Sequence, residues 1–140
     1  MAEENSGSGG RGYADEQKNN YGRHFAAIES DLGASHPLGI NFAGKAEALP
    51  YLGPISRILA SQGAAQVQLQ SGGIGADTAP LTRAGVPSFA PWFNQQTYFN
   101  YHHTAADTFD KINPKELAEV GSLVAVVAYG LANLEQPLPR

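Results

Sequence analysis

The chain of 140 residues contains no cysteine, one methionine and one tryptophan. Without cysteine there are no disulfides and no thiolate metal sites, which leaves His, Asp and Glu as the strong ligands. Positive charge is scarce: 9 Lys and Arg stand against 13 Asp and Glu, for a net charge of -4. Binding to phosphate backbones needs clustered Lys and Arg to displace counterions, so DNA, RNA and anionic membrane surfaces are not expected partners. Long hydrophobic runs are also missing. The most apolar stretch, 123–134, is interrupted by Gly130 and Asn133 and is too short to cross ~30 Å of hydrocarbon as a helix, so no membrane span is expected. The residues after Met1 begin Ala2-Glu3-Glu4, acidic where an export signal is basic and then apolar, so none is expected in the sequence as written. Neither G-x-x-x-x-G-K-[ST] nor G-x-S-x-G occurs, which removes the phosphate loop and the serine-hydrolase elbow.

What is present suits one folded domain over 1–140. Apolar residues make up 42% of the chain, and 16 Gly with 9 Pro call for many turns without reaching the composition of a disordered or collagenous chain. Segment 24–31 is short, mostly apolar and closed by Leu32-Gly33, and reads as a strand with a polar tip; 38–43 reads as a second. Between 46 and 62, Leu49, Leu52, Ile55, Ile58 and Leu59 recur at three- and four-residue spacing, an amphipathic helix that Pro50 and Pro54 delay or kink. Strand 67–70, short helix 77–84 and strand 86–90 follow, and 13–20 reads as a helix near the start. The last helix has the clearest beginning, with Asn113 as N-cap, Pro114 first and Glu116 third, and is expected to close the fold over 113–135. Alternating strands and helices predict a layered α/β/α fold with a mostly parallel sheet.

Gly7-Ser8-Gly9-Gly10-Arg11-Gly12 matches G-x-G-x-x-G, but the dinucleotide reading needs a strand before it, and 1–12 reads instead as a glycine-rich site loop. Beside that loop stands Glu3-Glu4. Adjacent carboxylates point in different directions, so one can hold a metal while the other serves as a general base; taken alone, two acids near a terminus are simply solvated. Asp31 lies where a strand runs out, the place at which open α/β sheets bind ligands, and a turn aspartate is its ordinary alternative. Tyr101-His102-His103-Thr104-Ala105-Ala106-Asp107-Thr108 sets two histidines before an aspartate. Neutral imidazole is a good zinc ligand when an acceptor orients it, and of two adjacent histidines one is expected to ligate while the other packs or faces solvent. His24 and His36 read as surface or strand histidines.

Together these pieces resemble the co-catalytic zinc exopeptidase family that includes carboxypeptidase Q and the bacterial leucyl aminopeptidases. The matching segments are Ala2-Glu3-Glu4 with its glycine loop, Glu29-Ser30-Asp31, Gly75-Ala76-Asp77, Ala84-Gly85-Val86-Pro87, His103-Thr104-Ala105-Ala106-Asp107-Thr108 and the final Leu138-Pro139-Arg140. The resemblance implies that Glu3 is the catalytic acid/base, that Glu4 and Asp31 bind two zinc ions, one each, and that His103 partners Glu4. It also implies that Asp107 supports the ligands and that Asp77 and Tyr101 line the cleft. Short peptides or dipeptides are the implied substrates, and family members of this type are exported, to the periplasm or outside the cell. The family also uses an upstream His-x-Asp pair that has no counterpart before Glu3. The expectation is therefore the C-terminal portion of a peptidase domain without its N-terminal strands, inactive alone. The alternatives are a non-catalytic domain that binds a peptide or partner in the same cleft, or a homo-oligomer whose interface supplies ligands from His24, His36 or His102.

Overall fold

A computed structural model describes residues 3–4, 6–33 and 35–140; Met1, Ala2, Asn5 and Ala34, including the Ala2 of the matched motif, lie outside the described residues. The chain forms helix α1 (Ser8–Gln17), strands β1 (Ala27–Ile28) and β2 (Pro37–Ala43), helix α2 (Leu49–Leu59), strand β3 (Gln66–Leu69), helix α3 (Ala79–Arg83), strand β4 (Ser88–Phe93) and helix α4 (Pro114–Ala132). The sheet order is β1-β4-β2-β3. β1 pairs in parallel with β4 and β2 with β3, while β2 and β4 meet antiparallel at the centre.

The main core lies on one face of this sheet. Leu52, Ile55 and Leu59 of α2 and Leu123, Val127 and Leu131 of α4 close over Ile40, Phe42 and Phe89. Three- and four-residue spacing puts each helical set on one stripe, and full burial of each such side chain contributes roughly 1.5–3 kcal/mol. Phe42 and Phe89 face each other across β2 and β4 with ring centroids 5.0 Å apart. Successive strand residues point to opposite faces: Ile28 packs on the main core, whereas Ala27 joins Leu81 and Val86 in a smaller cluster on the other face. The helices thus lie on both sides of the sheet, the expected α/β/α layering.

Two expected elements shift. α1 begins at Ser8 rather than Tyr13, so Gly9, Gly10 and Gly12 are helical and only the residues up to Gly7 precede the helix. The reason is contact at a distance: a Cβ on Gly10 would lie 2.6 Å from the backbone oxygen of Asp77, so glycine lets α1 settle against the segment leading into α3. The expected strand over 24–31 shrinks to Ala27–Ile28, because β4 supplies pairing partners only at Ser88 and Phe89. Elsewhere the expectations hold closely. A 3₁₀ turn at Ala46–Ala48 precedes α2, Pro50 occupies its first turn, and the helix runs on through Pro54. The Asn113 side chain accepts from the Lys115 amide at 3.0 Å, as an N-cap should, and α4 ends at Ala132, three residues before the expected Glu135.

Candidate active site

The cleft is assembled from loops at the ends of these elements. Ahead of α1, Ser6 and Gly7 take left-handed backbone conformations, with φ of 65° and 64°. This reversal folds Glu3 back over the helix start, where its carbonyl accepts from the Gly7 amide at 2.7 Å. Left-handed backbone costs a non-glycine residue ~1–2 kcal/mol. At Ser6 the turn is held by the Arg11 guanidinium, which donates to the Ser6 carbonyl and, at 3.3 Å, to its hydroxyl. Asp31 follows β1 directly: the Glu29 amide donates to Phe89 O at 3.0 Å, and beyond it the chain leaves the sheet in a turn closed by Gly33 N–H to Asp31 O at 2.8 Å.

The loop after β4 brings in the third wall. His102 stacks on Tyr98 with ring centroids 4.6 Å apart, and His103 stacks on His102 at 3.9 Å. His103 is itself left-handed, with φ of 56°, and its Nε2 lies 3.5 Å from Glu4 Oε1, both side chains being mostly exposed. Thr104 ties the loop, donating from its hydroxyl to Tyr101 O and accepting from the Ala106 amide, while its carbonyl accepts from the Asp107 amide.

Glu3, Glu4, Asp31, Tyr101, His103 and Asp107 thereby line one cleft of about 670 Å³. Asp77 is not among its lining residues. It sits below, against Gly10, and its Oδ1 is buried without a hydrogen-bond partner among the described residues. His24 and His36 are engaged elsewhere: His24 bonds to the Tyr13 hydroxyl at 2.9 Å and to the Asn20 carbonyl, and His36 Nδ1 lies 2.7 Å from Glu119 Oε2. Neither lines the cleft, so of the three histidines considered as interface ligands only His102 borders it.

The electrostatics mark the same place. Loss of solvation first, and then the negative charges of Glu4, Asp31, Asp77 and Glu29, raise the Glu3 carboxyl above its usual range. Burial, followed by the charges of Asp31, Asp107, Glu4 and Glu3, raises the Tyr98 phenol. A carboxyl held above its ordinary pKa is closer to matching a proton-transfer task near neutral pH. The cleft also carries cations that the sequence reading did not single out, Arg11, Arg83 and Lys111. Lys111 is tied to Asp110, and hydrogen bonds from Lys111 and Thr108 lower the Asp110 carboxyl.

Acids and an imidazole are the right chemistry for zinc, and Glu4 and His103 approach each other. A catalytic zinc keeps three protein ligands, however, and among the described residues no group of three His, Asp or Glu side chains is placed to hold one ion. By themselves the described residues do not fit the metal that the resemblance implies. The structure also contains no helix long and apolar enough to cross a membrane among those residues.

Comparison with known proteins identifies the family. The family model for Peptidase family M28 matches residues 1–128. Carboxypeptidase Q of Bos taurus and of Homo sapiens are each 32% identical over 139 residues, and that of Xenopus laevis is 31% identical over 138. In each case the match takes in 99% of this chain but 29% of the relative, so the chain spans under a third of their length. The crystal structure of a Peptidase M28 precursor from Shewanella amazonensis SB2B superimposes with a TM-score of 0.83 at 32% identity, over 94% of this chain and 30% of that one. With the family model matching most of its length, the chain belongs to peptidase family M28.

Proposed function

We propose that this chain supplies part of the cleft of a zinc-dependent exopeptidase, of aminopeptidase or dipeptidase type, and that it does not hydrolyse peptides alone. The observation that carries the reading is the convergence of Glu3, Glu4, Asp31, Tyr101, His103 and Asp107, from three separate loops, on a single cleft. Membership of the M28 family and the match to less than a third of each carboxypeptidase Q support it. In this reading Glu3, with its raised pKa, takes a proton from the attacking water and returns it to the leaving amine. Glu4, Asp31 and His103 are metal ligands that need further ligands from outside the described residues.

The test is hydrolysis of dipeptides with added zinc, by this chain alone and together with an N-terminal portion of a relative carrying the His-x-Asp pair. The chain alone is expected to be inactive and the mixture active, with Glu3→Gln lowering kcat by about 10²–10⁴-fold. Full activity of a monomer by itself, or a folded mixture that stays inactive, contradicts the proposal.

One observation favours a second reading, a non-catalytic peptide-binding domain: the absence of a three-donor metal group among the described residues. That reading requires peptide binding that survives Glu3→Ala, weakens when the 98–101 loop is deleted, and is indifferent to chelator. Binding abolished by chelator contradicts it.

A further inference from the structure

The Glu29 side chain has no place in the chemistry above, yet it makes the densest set of hydrogen bonds near the cleft. One carboxylate oxygen accepts from the Ala76 amide at 2.9 Å and, more weakly, from the Asp77 amide at 3.5 Å; the other accepts from the Thr78 amide at 2.8 Å and the Thr78 hydroxyl at 2.9 Å. The Thr78 hydroxyl is buried and also meets Ile74 O. Gly75 completes the seat. Its φ is +68°, and a Cβ there would fall 2.0 Å from the Glu29 carboxyl carbon, so any larger residue would evict the carboxylate.

This seat lies between the acids of the cleft. On one side Glu29 is fixed to β4 through its amide, and two residues later comes Asp31. On the other, the turn it holds contains Asp77, whose backbone and carboxylate press on Gly10 of α1. α1 packs chiefly against the α3 segment, and Glu3 and Glu4 stand just ahead of its first turn. A continuous chain of contacts therefore runs from Asp31 through Glu29, the 75–78 turn and Gly10 to Glu3-Glu4.

We infer that Glu29 is a positioning residue: its carboxylate, by holding the 75–78 turn, sets where α1 and the Glu3-Glu4 pair stand relative to Asp31. The inference rests on the reading of these acids as the working groups of the cleft, but its test needs neither metal nor turnover. Because the chain has no cysteine, Lys18→Cys at the exposed end of α1 and Ala125→Cys on the exposed side of α4 can carry a nitroxide pair. Pulsed electron paramagnetic resonance then reads the distance between α1 and the body of the protein.

The expected result is one narrow distribution with Glu29 present. Glu29→Gln, which keeps the size but loses an acceptor, broadens it at least twofold or displaces it. Thr78→Ala acts in the same direction, and Thr78→Ser, which keeps the hydroxyl, restores the narrow distribution. Val127→Ala, a core change on α4 that removes none of the hydrogen bonds to Glu29, serves as control and lowers Tm without broadening. An unchanged distribution in both Glu29→Gln and Thr78→Ala overturns the inference, as does equal broadening by the control at matched Tm. If Glu29→Gln does not fold, the Thr78 pair decides. Failure of every peptidase assay overturns the proposed function and leaves this result standing on its own.

Discussion

Glu3 stands among the other acids around the cleft. Its carboxyl is raised from the usual 4.5 by desolvation and by four neighbouring acids. The fold therefore favours the protonated form, so the stability contributed by Glu3 is fully present below pH 4.5 and is lost as pH rises through the elevated folded value. A carbon-detected NMR titration is expected to place the Glu3 midpoint above 4.5, and Glu4→Gln or Asp31→Asn to bring it back toward that value. A midpoint at or below 4.5 would mean that these acids do not share one site. At the same scale, Gly75→Ala forces a Cβ into the Glu29 carboxylate at a left-handed position. Loss of at least ~2 kcal/mol, read by chemical denaturation, is expected; an unchanged midpoint would show that the turn is not built around Glu29. Motif order singles out Glu3, Glu4, Asp31, Tyr101, His103 and Asp107, which all line the cleft, and Asp77, which does not. Glu29 stands in the same motif as Asp31, but its role is not legible there, because its partners lie 47 to 49 residues further on and nothing local reveals them.

Helices were legible where their determinants are local. α4 starts at Pro114 behind an Asn113 cap, and Asn113→Ala is expected to cost about 1 kcal/mol, a fall in Tm of roughly 3–4 °C for a chain of this size. No measurable fall would mean that packing of the apolar stripe alone fixes that end. The glycines of α1 oppose a helix locally, and the contact with the Asp77 backbone accounts for the one at Gly10, whereas a Cβ on Gly12 would meet nothing within 4 Å. Gly10→Ala makes the contrast testable. Alanine improves intrinsic helix propensity by ~1 kcal/mol, yet its Cβ meets a backbone oxygen that cannot move aside, so amide exchange across α1 is expected to quicken. Slower exchange would show that propensity outweighs the contact. β1 is shorter than its composition suggests for a related reason: apolar residues include Phe25 and Ala26, but pairing requires a partner strand, and β4 provides one only at Ser88 and Phe89.

For the whole molecule, fold class is readable in the sequence. Strand-helix alternation led to the layered sheet, and the superposition at a TM-score of 0.83 places that sheet within the architecture of an M28 precursor. The sheet leaves β1 and β3 as its edges, and edge strands are ready templates for further pairing. Two cleft donors approach each other, Glu4 and His103, while no three converge among the described residues. In the proposed function, this chain presents the acids and the imidazole of an exopeptidase cleft while its described residues do not complete a metal site. Elemental analysis of zinc per folded chain after exhaustive dialysis, repeated on His103→Ala, tests it most directly. A ratio near zero is expected for both; a ratio near two that is lost in His103→Ala would contradict the proposal.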